Sequence, residues 1–352
     1  MQWGWISLNA EIESDYDKYW LVPQYSEMTN RDQISLDTVF GHVKLKHPII
    51  SSPMNSVTET KMAAFMAASG GLGIIHRYMP EWEQAEQIKK VRDAGLHVGA
   101  SISVNNQEKR IDMLYNAGCN VLTMDVAHGD MKQCYDLVKY IKKIYSIDII
   151  SANIVTTEAA ERYYDAGIDG FRVGIGSGQS CITRITTGVA YNQLVAIEKI
   201  RERYPETPIV SDGGIRNSGD IVKCLAAGAD TVLIGKLLAP TDKSPASRTV
   251  GQLADDGVTF NNTYLPWTKT YVIYSGMASE HAERERIKRT GEDASTIAHI
   301  EAPEGRTVYI PDTGETTETI INRLVGGIKH GLAYMGSENI SKLREKKKWT
   351  TL

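Results

Sequence analysis

One cysteine stands where covalent chemistry is feasible. Cys181 lies in GIGSGQSCITRITTGVAYNQ (174–193), a long connection with glycines at 174, 176 and 178. A thiolate in such a flexible polar loop can attack an electron-poor carbon, and Thr183 could present a hydroxyl beside it. A lone cysteine is more often buried filler, so position by itself leaves both readings open. Cys119, Cys134 and Cys224 are too scattered for a CxxC pair or a disulfide framework, and read as space-filling.

Other residues suggest an anion and a carboxylate. In SDGGIRNSGD (211–220), Gly213 and Gly214 permit close backbone approach to an anion, and a helix starting near Asn217 would aim free N–H groups the same way. Asp212, just before them, is either an acceptor for sugar hydroxyls or a helix cap. A second glycine-bearing loop, GKLLAP, follows at 235–240. Glu304 sits in APEG between Pro303 and Gly305, a tight turn that suits a held carboxylate. The polar, charged stretch Ala278 to Ala302 reads as a mobile lid or a plain surface excursion.

The elements that must position these groups recur along the chain. Eight short apolar runs read as strands: 48–51, 72–76, 97–104, 120–127, 148–155, 170–176, 208–212 and 231–237. Most carry consecutive apolar residues without alternation, as strands covered on both faces do. Between them lie amphipathic stretches ending at glycine, among them EKRIDMLYNAG, TEAAERYYDAG and SGDIVKCLAAG. Eight such units at roughly 25-residue spacing predict an α/β fold, a closed (β/α)8 TIM barrel, over an open sheet. Chemistry then belongs at the C-terminal ends of the strands, with phosphate favoured after strands seven and eight.

Composition narrows the classes. The chain has 352 residues, 42% hydrophobic and 23% charged, the profile of an ordinary folded protein. No apolar run approaches a membrane span, and the N-terminus lacks a secretory pattern, so the expectation is a cytoplasmic protein with no membrane partner. A net charge of -4 argues against nucleic acid. The basic run Lys342 to Lys348 reads as a solvated tail rather than a binding patch. A single catalytic domain over 1–352 accounts for the length, with a barrel core at about 48–240 and a flap and C-terminal segment at about 241–352.

SSPMNSVTE (51–59), DVAHGD (125–130), VGIGSGQSCITRITTGVAYNQ (173–193), SDGGIRNSGDIVKCLAAGAD (211–230) and LVGGIKHGLAYMG (324–336) together resemble the IMP dehydrogenase/GMP reductase family, from about Leu21 to about Leu343. The resemblance implies a homotetrameric barrel that binds a purine nucleotide and a nicotinamide cofactor, with Cys181 attacking C2 of the purine, Thr183 assisting and Glu304 relaying protons. It implies that Asp212 holds the ribose, that Gly213, Gly214 and Gly235 line the phosphate site, and that Met277 packs near the base. Ser52, Met54, Asn153, Ser180, Tyr274 and Gly276 are further implied nucleotide contacts. On the cofactor side it implies Asp125 at the nicotinamide ribose, with Ala127, His128, Gly129, Gly174 and Gly176. A potassium site at Gly176, Gly178 and Cys181 is a further family habit.

The family's two branches run in opposite directions. A dehydrogenase oxidises IMP with NAD and hydrolyses the adduct with an Arg-Tyr pair in its flap. Here the flap reads ERERIKRTGEDAS, with Arg289 followed by Thr290, and no such pair. Tyr191 after TGV, GMAS and EGRTV resemble the reductase branch, which releases ammonia and takes hydride from NADPH. SVTE, SGGLGIIH, DVAHG and SDGGIRNSGDI resemble bacterial dehydrogenases. The balance favours GMP reduction, with IMP dehydrogenation and a non-catalytic nucleotide binder as alternatives. The regulatory CBS pair of most dehydrogenases is absent, since VRDAG runs straight into HVGAS. Three residues depart from the family pattern: Gln179 for serine, Lys236 for serine or glycine, and Asn55 for aspartate. The first two fit either a rebuilt phosphate end, for a deoxynucleotide or more phosphates, or a compensating pair around the same monophosphate.

Overall fold

In the computed structural model, residues 15–253, 260–261, 268–292 and 302–351 are described. Residues 1–14, on which the signal-peptide reading rests, lie outside them, as do 293–301 of the lid stretch. A short strand β1 (Tyr19–Leu21) and a hairpin, β2 (Thr38–Phe40) and β3 (Val43–Leu45), precede the barrel. Its strands are β4 (Ile49–Ser51), β5 (Leu72–Ile75), β6 (Gly99–Ile102), β7 (Val121–Met124), β8 (Asp148–Ile154), β9 (Gly170–Val173), β10 (Ile209–Asp212) and β11 (Thr231–Ile234). They pair in parallel and close, β11 on β4, so all eight sequence-predicted strands form the expected (β/α)8 barrel. Six of the eight observed strands end before their apolar runs do, while the first and seventh end at Ser51 and Asp212 as read.

The helices that cover the barrel are α1 (Thr60–Ala68), α2 (Glu81–Asp93), α3 (Glu108–Asn116), α4 (Lys132–Ile144), α5 (Thr157–Ala166), a short α6 (Thr183–Thr187), α7 (Gln193–Arg203) and α8 (Ser218–Ala227). Between α2 and β6 only five residues intervene, 94–98, and no module is inserted there. The barrel's lower interior is apolar: Ile50, Leu72, Ile74, Val121, Ile150, Val210 and Leu233 cluster with Phe40, Val43 and Leu45 of the β2–β3 hairpin, which plugs the N-terminal end. A hairpin stopper there leaves the opposite end as the open one.

One sequence device recurs at three junctions. Each of α3, α5 and α8 ends in Ala-Gly, with Gly118, Gly167 and Gly228 at positive φ, and two residues later comes Asn120, Asp169 or Asp230. The side chain of each accepts the N–H that opens the preceding strand: Val98 at 3.0 Å, Ile149 at 2.7 Å and Ile209 at 2.7 Å. The glycine turns the chain, and the carboxylate or amide sets the strand's starting register.

The rest of the chain serves the mouth and the edges. β12 (Arg248–Leu253), β13 (Phe260–Asn261), β14 (Lys269–Ser275) and β15 (Thr307–Pro311) form an antiparallel sheet, followed in space by helix α9 (Glu280–Thr290). Helices α10 (Thr317–Tyr334) and α11 (Ile340–Lys346) lead to β16 (Trp349–Thr351), which pairs with β1. The basic run is therefore no free tail: Arg344 donates to Asp230 at 2.7 Å and Lys347 to Glu198 at 2.6 Å. Among the described residues, no helix is long and apolar enough to cross a membrane.

Asp230 thus holds a strand's N–H and the guanidiniums of both Arg201 and Arg344. Asp230→Ala should leave two cations without their carboxylate and cost about 3 kcal/mol in urea unfolding, whereas Asp165→Ala, on the solvent face of α5, should cost under about 0.5 kcal/mol.

Candidate active site

A cavity of about 680 Å³ opens at the C-terminal end of the barrel. That volume lies within the range for small-molecule sites. Every residue singled out above as catalytic or nucleotide-contacting lines it, and so do the cofactor-side residues except one. Gly129 stands outside the lining: its N–H donates to Asn153 O at 2.8 Å, its own carbonyl accepts from Tyr163, and a Cβ would strike Ala152 and Asn153. Close packing of the β7 exit against β8 accounts for that glycine.

The cysteine loop is pinned from the far end of the chain. Cys181 forms an antiparallel bridge with Gly305, Ile182 donates its N–H to Glu304 O at 2.7 Å, and Arg306 donates its N–H to Ser180 O at 2.8 Å. Arg306 Nε adds a bond to Gln179 O at 3.1 Å. Those contacts deliver the Glu304 side chain to the loop. Thr183 Oγ1 donates to Glu304 Oε2 at 2.9 Å and lies 3.1 Å from Cys181 Sγ. Since the threonine proton points to the carboxylate, the thiol is left as donor to Thr183. Cys181, Thr183 and Glu304 thus form a ready path for a proton. The other three cysteines are buried and free, and burial pushes the thiols of Cys119 and Cys224 up to about 12, which suits inert filler.

The glycine turn after β10 lines the cavity. Gly213 and Gly214 have φ of +96° and +79°, a pair of left-handed residues that only glycine adopts without strain. The α8 N-terminus does not join it, contrary to the sequence expectation: Asn217 caps the N–H of Asp220, Asp220 accepts from Arg216 N, and residues 216–220 are absent from the lining. Lys236 and Tyr274 face the turn across the cavity wall, where a Cβ on Gly235 would strike Tyr274 Oη and Met54 Sδ. Burial pushes the Tyr274 phenol up to about 12. Asn55, the third departure, lies outside the lining with its Oδ1 buried and unpartnered.

Sequence reading missed the cation at the centre. Arg172, in β9, is buried, and its Nε pairs with Asp212 Oδ2 at 2.8 Å while its Nη1 reaches Asp125 Oδ1 at 3.4 Å. Asn153 Nδ2 also donates to Asp212 Oδ2 at 2.8 Å, and Arg77 Nε to Asp125 Oδ2 at 3.2 Å. Burial works against the charge on Arg172, but the two carboxylates outweigh it and raise its pKa. A lone arginine inside GFRVGIG could have signalled this, because a charge in a two-face-buried strand needs a partner.

Part of the lid stretch is a fastened helix. Arg289 of α9 pairs with Glu59 at 2.7 Å and with Glu83 through Nε at 3.1 Å, and Glu59 also meets the buried His76 at 3.1 Å. Tyr78 donates to the Met277 carbonyl at 2.6 Å and contacts Glu283 of α9. The described His/Asp cluster with metal-like spacing, His42, Asp148 and Asp169, lies at the opposite end of the barrel.

Barrel and site define an enzyme built around a relayed thiol at the mouth of a nucleotide-sized cavity. Residues 13–352 match the IMP dehydrogenase / GMP reductase domain. The chain is 35% identical to the inosine-5'-monophosphate dehydrogenase of Cryptosporidium parvum over 94% of this chain and 90% of that one, and 32% identical to that of Borreliella burgdorferi over 96% and 93%. It is also 37% identical to the GMP reductase of Leishmania donovani over 73% of this chain and 50% of that one. The chain belongs to the IMP dehydrogenase/GMP reductase family, oxidoreductases of purine nucleotides that use nicotinamide cofactors.

Two outcomes follow from the buried charges. Arg172→Leu leaves Asp125 and Asp212 facing each other without their cation, and should cost about 3–5 kcal/mol in denaturant unfolding. Burial alone would raise Glu59, but His76 and Arg289 hold its carboxyl down to about 2 against an ordinary 4.5. Its stabilisation is therefore complete above about pH 4.5 and fades as the pH falls towards 2. In Arg289→Ala the folded-state value should rise towards 4.5, so this stabilisation is smaller from the start and the acid unfolding midpoint should shift upward.

Proposed function

We propose that this protein, as one catalytic domain over 1–352, is a GMP reductase, converting GMP to IMP and ammonia with NADPH. The observation that carries the reading is a complete proton relay at the thiol beside a lid without a water-activating pair. No tyrosine occurs between Tyr274 and Tyr309, and Arg289 is committed to Glu59 and Glu83. An Arg-Tyr sequence does line the cavity at Arg77 and Tyr78. It makes a poor substitute: Tyr78 donates its proton to the Met277 carbonyl and meets Glu283, and burial raises its pKa, which keeps the phenol protonated.

In this reading Cys181 gives its proton through Thr183 to Glu304, and the sulfur bonds to purine C2 while N3 takes a proton from solvent, which it hands to the thiolate when the C2–S bond later breaks. Glu304 returns a proton through Thr183 to the departing amine, so the C2–N bond breaks as ammonia leaves. The reduced nicotinamide supplies the hydride that C2 then accepts. Loss of the C2–S bond releases IMP, and the nucleotide has gained two electrons. Asp212 takes the ribose hydroxyls, the Gly213–Gly214 turn and Lys236 take the phosphate, and Asp125 faces the cofactor ribose. The buried Arg172 pairs with both of these carboxylates, which supports placing a ribose against each.

IMP dehydrogenation with NAD is the second reading, supported by relatives of that name that align over nine-tenths of both chains. Absorbance at 340 nm separates the two. GMP with NADPH should lose absorbance and release ammonia, and IMP with NAD should stay flat; the reverse pattern identifies a dehydrogenase, and no change with either points to a nucleotide-binding protein. Cys181→Ala should abolish turnover, at least about 10⁴-fold, while GMP still binds. A preference for dGMP or GDP over GMP would mark Gln179 and Lys236 as a rebuilt phosphate end, and size-exclusion chromatography checks the expected tetramer.

A further inference from the structure

We propose that Tyr16 is a positioning residue for the phosphate nest, and that the lead-in turn Asp15–Lys18 aims the Gly213–Gly214 amides at the substrate. The proposal rests on the reading of that turn as the phosphate subsite. The lead-in is a short 3-10 turn, remote in sequence from the barrel mouth but packed directly behind it. Tyr16 is 1% exposed and donates its hydroxyl to the Gly213 carbonyl at 2.9 Å across 197 residues of sequence. Its ring lies so close to Gly214 that a Cβ there would sit 2.8 Å from Tyr16 Cε2. The hydroxyl and the ring edge therefore fix two successive peptide units, and the orientation of those units is what makes a nest.

The turn is itself anchored on three sides. Lys223 of α8 donates to the Tyr16 carbonyl at 2.7 Å, and Arg216, just past the nest, makes a two-pronged pair with Asp17 at 2.6 and 2.7 Å. Asp15 accepts the N–H of Gln193 at 3.1 Å, where α7 leaves the cysteine loop. One turn thus ties the exit of the cysteine loop to the exit of β10. From the front, Ser177 closes the sandwich, donating to Asp212 O at 2.8 Å and standing 2.5 Å from where a Gly213 Cβ would be. The nest is backed by protein on both faces, so its amides stay pre-aimed before any anion arrives.

Tyr16→Phe keeps the ring and removes only the hydroxyl, leaving the Gly213 carbonyl without its donor. The test is to measure dissociation constants for GMP and for guanosine by titration calorimetry and competition, in the full chain and in this variant. The expected result is a weakening of about 5- to 30-fold for GMP with guanosine unchanged, the signature of a lost buried hydrogen bond felt only at the phosphate. Asp17→Asn, which weakens the two-pronged pair with Arg216 and leaves Tyr16 in place, should shift GMP the same way by a smaller factor, and covers the case of a Tyr16→Phe chain that does not fold. Equal weakening of GMP and guanosine, or none of either, overturns the proposal. If the unaltered protein binds GMP no better than guanosine, the phosphate reading of the nest falls with it; if it binds neither GMP nor IMP, the proposed function falls as well.

Discussion

The site depends on one stretch of antiparallel backbone, the bridge between residues 180–182 and 304–306. A glycine-rich loop of twenty residues has no conformation of its own that would hold a thiol still. Two main-chain hydrogen bonds from the segment before β15, with Arg306 Nε on Gln179 O, supply it, and they fix the loop and the acid together. The carboxylate cannot drift from the hydroxyl without the loop moving too. The β14–β15 pairing continues the same rigidity upward, with Ser275 opposite Thr307 and the Gly276 N–H donated to Arg306 O, so the residues walling the cavity at 274–277 share the anchor.

Beneath that anchor the barrel changes character along its axis. Its N-terminal half is an apolar plug closed by the β2–β3 hairpin, whereas its C-terminal half carries Arg172 between Asp125 and Asp212, with Asn153 and Arg77 completing the set. Such a network is costly to desolvate and gives weak grounds for stability. Its use is positional: Arg172 pairs with both carboxylates at the cavity lining and Arg77 with Asp125, which fixes where the two acids stand. The apolar floor makes this effective, since it keeps water from reaching the pair from below.

Much of this was legible in the sequence, for identifiable reasons. Buried parallel strands announce themselves as unbroken apolar runs, and the Ala-Gly ends of α3, α5 and α8 mark where each helix must stop. Cys181, Asp212 and the glycine pair were visible because their types are conspicuous in loops. Arg172 was hidden because it sits inside a strand-like run, where pattern reading counts it as an exception. The β12–β15 sheet was hidden for a different reason: it belongs to no repeat, and its strands take their meaning from distant partners, as Arg248 does from Asp312, 64 residues away. Gly129 reads as a ligand glycine in DVAHGD, yet its lack of a side chain answers to packing on β8. The N-terminus of α8 looked free, but Asn217 caps the Asp220 N–H and residues 216–220 stay out of the cavity lining.

The fastened helix bears on direction of reaction more than any single motif does. Hydrolysis of a covalent adduct needs a water-activating group that enters after the cofactor leaves, and hence a lid that alternates between two positions. In α9 the outward-facing cation that could take such a role, Arg289, is held by two carboxylates on the barrel, one of them backed by a buried histidine. Freeing it would strand Glu59 and Glu83 as well, so the alternation would be opposed by three charges at once. The proposed reduction asks for no such exchange, because the leaving amine and the thiol would both be served by Thr183 and Glu304 where they stand. A wall that does not move is thus an asset for one direction and an obstacle for the other.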